Sequence, residues 1–166
     1  MHKSAAATGS AVFFAVAPGT LVGLVPWAMT GWHLGAPLSH LVPLRVLGAL
    51  LIVAGAAVLV HAFIRFTVEG LGTPAPVAPT EHLVVGGPYR YVRNPIYLAL
   101  VAAILGQAML LWHSNLLWYA GFLALFLVAF VYGYEQPTLR GQFGAQYEEY
   151  RRAVSGWWPR LRPWLG

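Results

Sequence analysis

Residues 44–66 read LRVLGALLIVAGAAVLVHAFIRF, twenty-three positions whose only charges are Arg45 and Arg65, one near each end. A run of about 20 apolar residues is the length an α-helix needs to cross roughly 30 Å of hydrocarbon. This stretch therefore reads as a membrane span. Three further stretches of the same kind flank it, at residues 11–30, 96–112 and 116–134. The first contains Pro18, Gly19, Gly23 and Pro26, and so should be kinked. Only His113, Ser114 and Asn115 separate the last two, which predicts a tight antiparallel hairpin. The expected fold is all-α: one domain over residues 1–166, a polytopic helical bundle of about four transmembrane helices plus a C-terminal amphipathic helix.

The composition agrees. Hydrophobic residues make up 58% and charged residues 9% of the 166 positions, against roughly 45–50% and about 25% in ordinary globular chains. So few charges cannot coat a water-soluble body of this size. The net charge of +5 sits mostly on Arg, and the basic residues flank apolar runs instead of forming a dense stripe, which argues against a nucleic-acid partner. The chain has no Cys, which excludes disulfides, thiolate metal sites and Cys nucleophiles. Met1-His2-Lys3 before an apolar run resembles the start of a signal peptide, but the run is long and lacks a small-x-small cleavage site before Pro18. It reads as a retained first span.

Positive residues orient the spans. Lys3 precedes the first; Arg65, Arg90 and Arg93 fall between the second and third; Arg140, Arg151, Arg152, Arg160 and Arg162 follow the fourth. The loop after span three has none, and the loop after span one has only Arg45. Four spans with both termini in the cytoplasm satisfy this pattern, and the compact loops point to a bacterial plasma membrane. Two segments then face the cytoplasm: residues 67–95, with a turn-rich piece at 70–76, and the tail from Glu135. In the tail Leu139, Phe143, Tyr147, Tyr150 and Val154 recur at helical spacing opposite a polar face, with Pro137 in the first turn and Glu148 and Arg152 four apart. Trp157, Trp158 and Trp164, mixed with Arg160 and Arg162, read as an interfacial anchor.

Polar residues are scarce, so their clustering carries information. One cluster, residues 83–97, stands just before span three, and a second, Tyr132-Gly133-Tyr134-Glu135-Gln136, just after span four. The predicted hairpin makes the two neighbours, which brings Arg93 near Glu135. The plain reading is a charged anchor, an ion pair and an aromatic belt of Tyr89, Tyr91 and Tyr97. Gly86-Gly87-Pro88, which specifies a tight turn, and an acidic residue at the edge of hydrocarbon favour a functional site instead.

The run Leu83-Val84-x-x-Gly87-Pro88-Tyr89-x-x-x-Arg93-x-Pro95-x-Tyr97 resembles the signature of the isoprenylcysteine carboxyl methyltransferase and phospholipid methyltransferase superfamily. The run Glu135-x-x-x-Leu139-x-x-x-Phe143-Gly144-x-x-Tyr147-x-x-Tyr150-x-x-x-Val154 is similar to the C-terminal signature of that superfamily. The likeness covers residues 83–159, nearly half the chain. It implies an integral membrane methyltransferase that takes S-adenosylmethionine between the last two spans and the tail helix and acts on an amphipathic or lipid-like acceptor. It further implies Arg93 and Glu135 as the catalytic pair, one toward the carboxylate and one toward the ammonium of the methyl donor. Leu83, Val84, Gly87, Tyr89, Asn94, Pro95, Tyr97 and Glu135 are the implied cofactor contacts, with Tyr89 and Tyr97 able to face the sulfonium. The chain departs from many relatives in having Asn94 for a His and Glu135-Gln136 for a Glu pair, so one carboxylate remains.

The other polar residues read more simply. His33, His40, His61, His82 and His113 have no ligand spacing, and no metal is expected. His61 inside span two reads as a buried, satisfied residue. Gln107, midway in span three, reads as an interhelical hydrogen-bond donor, and Gly48 and Gly55 as close helix packing. Two other functions fit the same residues: an NADPH-dependent membrane reductase of sterol-reductase type, which shares an Arg-x-Pro-x-Tyr region, and a non-catalytic membrane protein.

Overall fold

The computed structural model describes residues 12, 16–36, 41–70 and 82–165. The start of the first predicted span, His40 and the turn-rich residues 71–76 lie outside the described residues. Among those described the chain is helical, with no strand: α1 (Val16–Thr30), α2 (Pro43–Arg65), α3 (Pro95–Leu111), α4 (Asn115–Phe130) and α5 (Gln136–Ala153). A 3-10 turn at Gly87–Arg90 precedes α3. Pro43 and Pro95 each stand in the first turn of their helix, where the missing N–H has no partner to lose.

Two helices are long and apolar enough to cross a membrane. One is α2, with 23 residues; the other is a continuous helix of 39 residues, Asn115–Ala153, in which α4 runs into α5. In each, only 28% of the most apolar window is buried within the protein. The core helix of a soluble protein would be mostly covered, so the bare faces, carrying Val46, Leu50 and Val53 on α2 and Trp118, Phe122 and Leu125 on α4, suit lipid. Helices α1 and α3 are shorter apolar helices.

Prolines decide where the helices change pitch. Pro26 has no N–H to offer the Val22 carbonyl four residues back, and α1 widens to a π-turn at Gly19–Leu24. Side chains of other helices satisfy the loosened carbonyls: Gln107 Nε2 of α3 donates to Val22 O at 2.7 Å, and Tyr119 Oη of α4 donates to Leu21 O at 2.9 Å. Gln107 thus has the interhelical role read from the sequence. Pro137 acts likewise at the end of α4. Its ring would collide with a regular turn, and a π-turn at Val131–Glu135 takes up the strain. The tail helix is therefore continuous with α4, not separated from it.

Small residues bring α2 and α3 into backbone contact. A Cβ on Gly48 would stand 2.6 Å from Gly106 O, one on Gly106 would stand 2.6 Å from Gly48 O, and one on Gly55 would stand 2.9 Å from Ala99 O. Helix α3 returns through the three-residue turn 112–114 into α4, the predicted hairpin, with Trp112 in the left-handed region (φ 61°) as its cap. Buried Ile104, Ala120, Leu123 and Leu127 pack the hairpin against Leu21 and Val22 of α1.

Helix α5 departs from the amphipathic helix of the sequence reading at Gly144, whose φ of 51° and ψ of −123° break the turn. The kink folds Arg140 back onto Glu148, eight residues on, a pair that a straight helix would hold about 12 Å apart along its axis. Glu148 pairs with Arg140 and Arg151, not with Arg152, which is exposed. Arg140 holds the Glu148 carboxyl below the usual glutamate range.

Candidate functional site

The second core cluster forms at the end of the bundle where residues 83–97 meet α5. Ala62, Val84, Tyr89, Tyr147, Tyr150 and Val154 are buried together there. The turn that delivers this segment is built against α2. Glu69, in the π-turn Phe66–Gly70 that extends α2, accepts from Arg65 Nη1 at 2.8 Å and from the Gly86 N–H at 2.9 Å. A side chain on Gly86 would collide with the Glu69 carboxylate. Gly87 follows with φ 56°, a left-handed conformation that glycine adopts without strain.

Beyond this turn lies a cavity of about 360 Å³, within the usual range of small-molecule sites, about 300–1,000 Å³. Its wall includes the predicted residues Leu83, Val84, Tyr89 and Arg93 from one segment. It also includes Asn94, Pro95 and Tyr97 at the start of α3, and Glu135 at the end of the π-turn. Gly87 alone among the predicted contacts is not on this wall. It backs onto α2, where a Cβ would stand 2.9 Å from both Arg65 Nε and His61 Nε2. Its role is to turn the chain. His61 is exposed beside it, not buried as the sequence suggested.

Arg93 and Glu135 share the cavity but do not pair with each other. The ion pairs among the described residues are Arg65–Glu69, Arg140–Glu148 and Arg151–Glu148. Arg93 Nε donates to Val154 O at 2.8 Å, and its Nη1 to the Tyr147 hydroxyl at 3.2 Å. Tyr97 Oη donates to Glu135 Oε2 at 2.7 Å. The cavity thus holds a cation and an anion, each oriented by a neutral group. The simple ion-pair reading does not describe it.

Two polar groups in this wall have no partner. Asn94 and Tyr89 are each 6% exposed, and among the described residues neither Asn94 Nδ2 nor the Tyr89 hydroxyl has a hydrogen bond. A buried polar atom left unpaired costs about 1–3 kcal/mol, so such atoms mark where a ligand would supply the missing bonds. Burial raises Tyr89 well above the ordinary tyrosine range, so it stays a neutral hydroxyl. Tyr150, raised by burial as well, donates to Tyr89 O at 2.7 Å and holds that strand of backbone in place.

Several wall residues were not named as contacts from the sequence, although Gln136, Tyr147 and Tyr150 lie in the tail that the resemblance sets against the methyl donor. Gln136, 5% exposed, lines the cavity beside Glu135. Tyr147 and Tyr150 line it from α5, Phe63 and Phe66 from α2 and its extension, and Pro18 and Leu21 from α1. The signal for the tyrosines was present as the apolar stripe of the amphipathic tail helix, of which Leu139, Tyr147 and Tyr150 line the cavity. Trp164, read as an anchor, packs its ring 5.3 Å from that of Tyr150, whereas Trp158 is 81% exposed, as an interfacial residue would be.

The model of one family, described as phospholipid methyltransferase, matches residues 44–146. The chain belongs to the phospholipid methyltransferase family. The match runs from α2 into α5 and takes in both clusters of the cavity, ending one residue before Tyr147. Membership makes the chain a membrane methyltransferase, which accords with the lipid-suited faces of α2 and α4. No curated protein and no solved structure matches the chain.

Proposed function

We propose that the protein is an S-adenosylmethionine-dependent methyltransferase of an amphipathic or lipid-like acceptor. The observation that carries this reading is a single cavity with two characters. Its wall carries Arg93, Asn94, Glu135 and Gln136, with Asn94 Nδ2 buried and unpaired among the described residues. The rest of the wall is mostly aromatic and aliphatic, including Phe126, Leu127 and Phe130 of α4.

The residues fit the donor group by group. Arg93 and Asn94 are donors suited to its carboxylate, and Glu135 is an acceptor suited to its ammonium. Leu83, Val84 and Tyr89 offer an apolar bed for its adenosine. When bound, the donor supplies an electrophilic methyl on a sulfonium. The protein's task is alignment and exclusion of water, worth several kcal/mol when reacting groups are held in place. Tyr97 serves it by holding the Glu135 carboxylate in one orientation, and the Tyr150–Tyr89 bond does so by fixing the segment before Arg93. With one carboxylate in the cavity, a mechanism that needs two is not part of this reading. The placement of Arg residues supports four spans with both termini in the cytoplasm, the compact loops suit a bacterial plasma membrane, and the likeness to isoprenylcysteine carboxyl methyltransferases bears on the class of acceptor.

Titration of the detergent-solubilised protein with S-adenosylhomocysteine tests this. Saturable binding that is lost in Glu135→Ala, with the variant still folded, is expected. A folded wild type that binds no S-adenosylhomocysteine but does bind NADPH would replace the methyltransferase with the reductase.

A further inference from the structure

The chain after α5 does not hang free. Residues 154–164 run back along the segment before α3 and are stitched to it: Arg93 N–H donates to Ser155 O at 2.9 Å, Arg160 N–H to Tyr91 O at 2.9 Å and Trp164 N–H to Arg90 O at 3.0 Å. The Arg160 guanidinium ties the strap to the end of α5 through Ala153 O at 2.7 Å. Arg93 is consequently gripped at its backbone by Ser155, at Nε by Val154 O and at Nη1 by Tyr147.

Gly156 sits in this strap, buried, directly behind the polar corner. A Cβ there would stand 3.2 Å from Arg93 Nη2 and 3.5 Å from Asn94 Nδ2. Both nitrogens are donors; Asn94 Nδ2 is buried without a partner among the described residues, and the side-chain bonds of Arg93 run from its Nε and Nη1. A guanidinium beside a buried amide N–H that has no partner among the described residues suits an acceptor-only group with two oxygens, which is a carboxylate. The absent side chain at 156 leaves Arg93 Nη2 its place: a Cβ 3.2 Å away would make the guanidinium shift, whereas 3.5 Å from Asn94 Nδ2 is ordinary contact. Gly156 has no positive φ, so its backbone does not require glycine; what an alanine there would meet is the Arg93 guanidinium. Tyr147 and Gly156 both lie past the last residue that the family model matches.

We propose that Gly156 and Tyr147 are positioning residues that set the Arg93 guanidinium, beside the Asn94 amide, for a carboxylate, and so make binding selective for a ligand that carries one beside its adenosine. This rests on the S-adenosylmethionine reading and adds to it the elements that hold the polar corner in place. Gly156→Ala presses on the Arg93 guanidinium and leaves the Leu83–Val84 side of the cavity untouched. Tyr147→Phe removes the acceptor for Nη1 and adds no bulk.

The test uses two ligands on the full-length protein in detergent. S-adenosylhomocysteine carries the carboxylate, and 5′-methylthioadenosine has the adenosine and thioether without the amino-acid end. In Gly156→Ala, affinity for S-adenosylhomocysteine should fall about tenfold or more, while affinity for 5′-methylthioadenosine stays within about twofold of wild type. A merely structural defect would weaken both alike. Tyr147→Phe should show the same selectivity with a smaller loss, and it decides the matter if the alanine variant does not fold. Equal loss of both ligands, or no loss of either, overturns the positioning role and leaves the methyltransferase intact. A folded wild type that binds neither ligand overturns both.

Discussion

Gly106→Ala is a sharp test of how α2 and α3 meet. The new Cβ would lie 2.6 Å from Gly48 O, 2.8 Å from Ile52 Cγ1 and 3.0 Å from Ile52 N. Ordinary contact for such an atom begins near 3.4 Å, so one helix must retreat by about 0.8 Å. Two of the three neighbours are backbone, and no rotamer change relieves them. Overpacking of this kind costs about 1–3 kcal/mol, while alanine in place of glycine returns about 0.8–1 kcal/mol of helix propensity. Gly121→Ala on α4 is the matched control, because a Cβ there meets nothing within 4 Å. It gains the same propensity without the clash, so the difference between the two variants isolates the packing cost. For a chain of this size, 1–3 kcal/mol corresponds to roughly 2–12 °C in Tm. Thermal unfolding in one detergent, with near-ultraviolet circular dichroism as the signal, should rank Gly121→Ala at or above wild type and Gly106→Ala below it. Because Gly48 and Gly106 share one contact, the pair Gly48→Ala and Gly106→Ala should lose less together than the sum of the single losses. Equal melting of Gly106→Ala and Gly121→Ala would refute the close approach.

Further outcomes follow from single contacts. Tyr97→Phe removes the hydroxyl that orients Glu135 and should weaken S-adenosylhomocysteine binding about tenfold in calorimetry, with unfolding temperature little changed; undiminished affinity would show that Glu135 needs no orienting partner. Gln107→Leu strips the Val22 carbonyl of its donor and should cost about 1–2 kcal/mol, read as a fall in Tm, whereas an unchanged Tm would mean that the π-turn satisfies itself. Glu148 has its carboxyl held low by Arg140, so the stability this pairing adds is present at neutral pH and disappears as pH falls through the depressed value. Carbon-detected NMR titration of Glu148 should show the midpoint rising in Arg140→Ala, and an unmoved midpoint would dissolve the pairing across the kink.

Much of this molecule is written in one dimension. The apolar runs, their lengths and the three residues between α3 and α4 specify a hairpin of membrane-suited helices, because hydrophobic periodicity and turn length act locally. The runs around Arg93 and Glu135 point to one site, since a hairpin that short forces its two ends together. Gln107 is also legible, as a lone amide in an apolar helix must find a partner. What the chain could not declare is everything set by approach across the fold. The ion pair suggested by Arg93 and Glu135 dissolves once Val154, Tyr147 and Tyr97 come within reach of them, contacts spanning 38 to 61 residues. Gly87 is indistinguishable in sequence from a glycine that admits a ligand, and only its neighbours His61 and Arg65 show that it admits α2. The stripe of α5 has the same period whether it faces lipid or a cavity; the kink at Gly144 and the strap to Trp164 turn it inward. Local propensity determines which segments are helices and where prolines disturb them, but which groups end up facing one another depends on packing between segments distant in sequence, and that geometry exists only once the chain has folded.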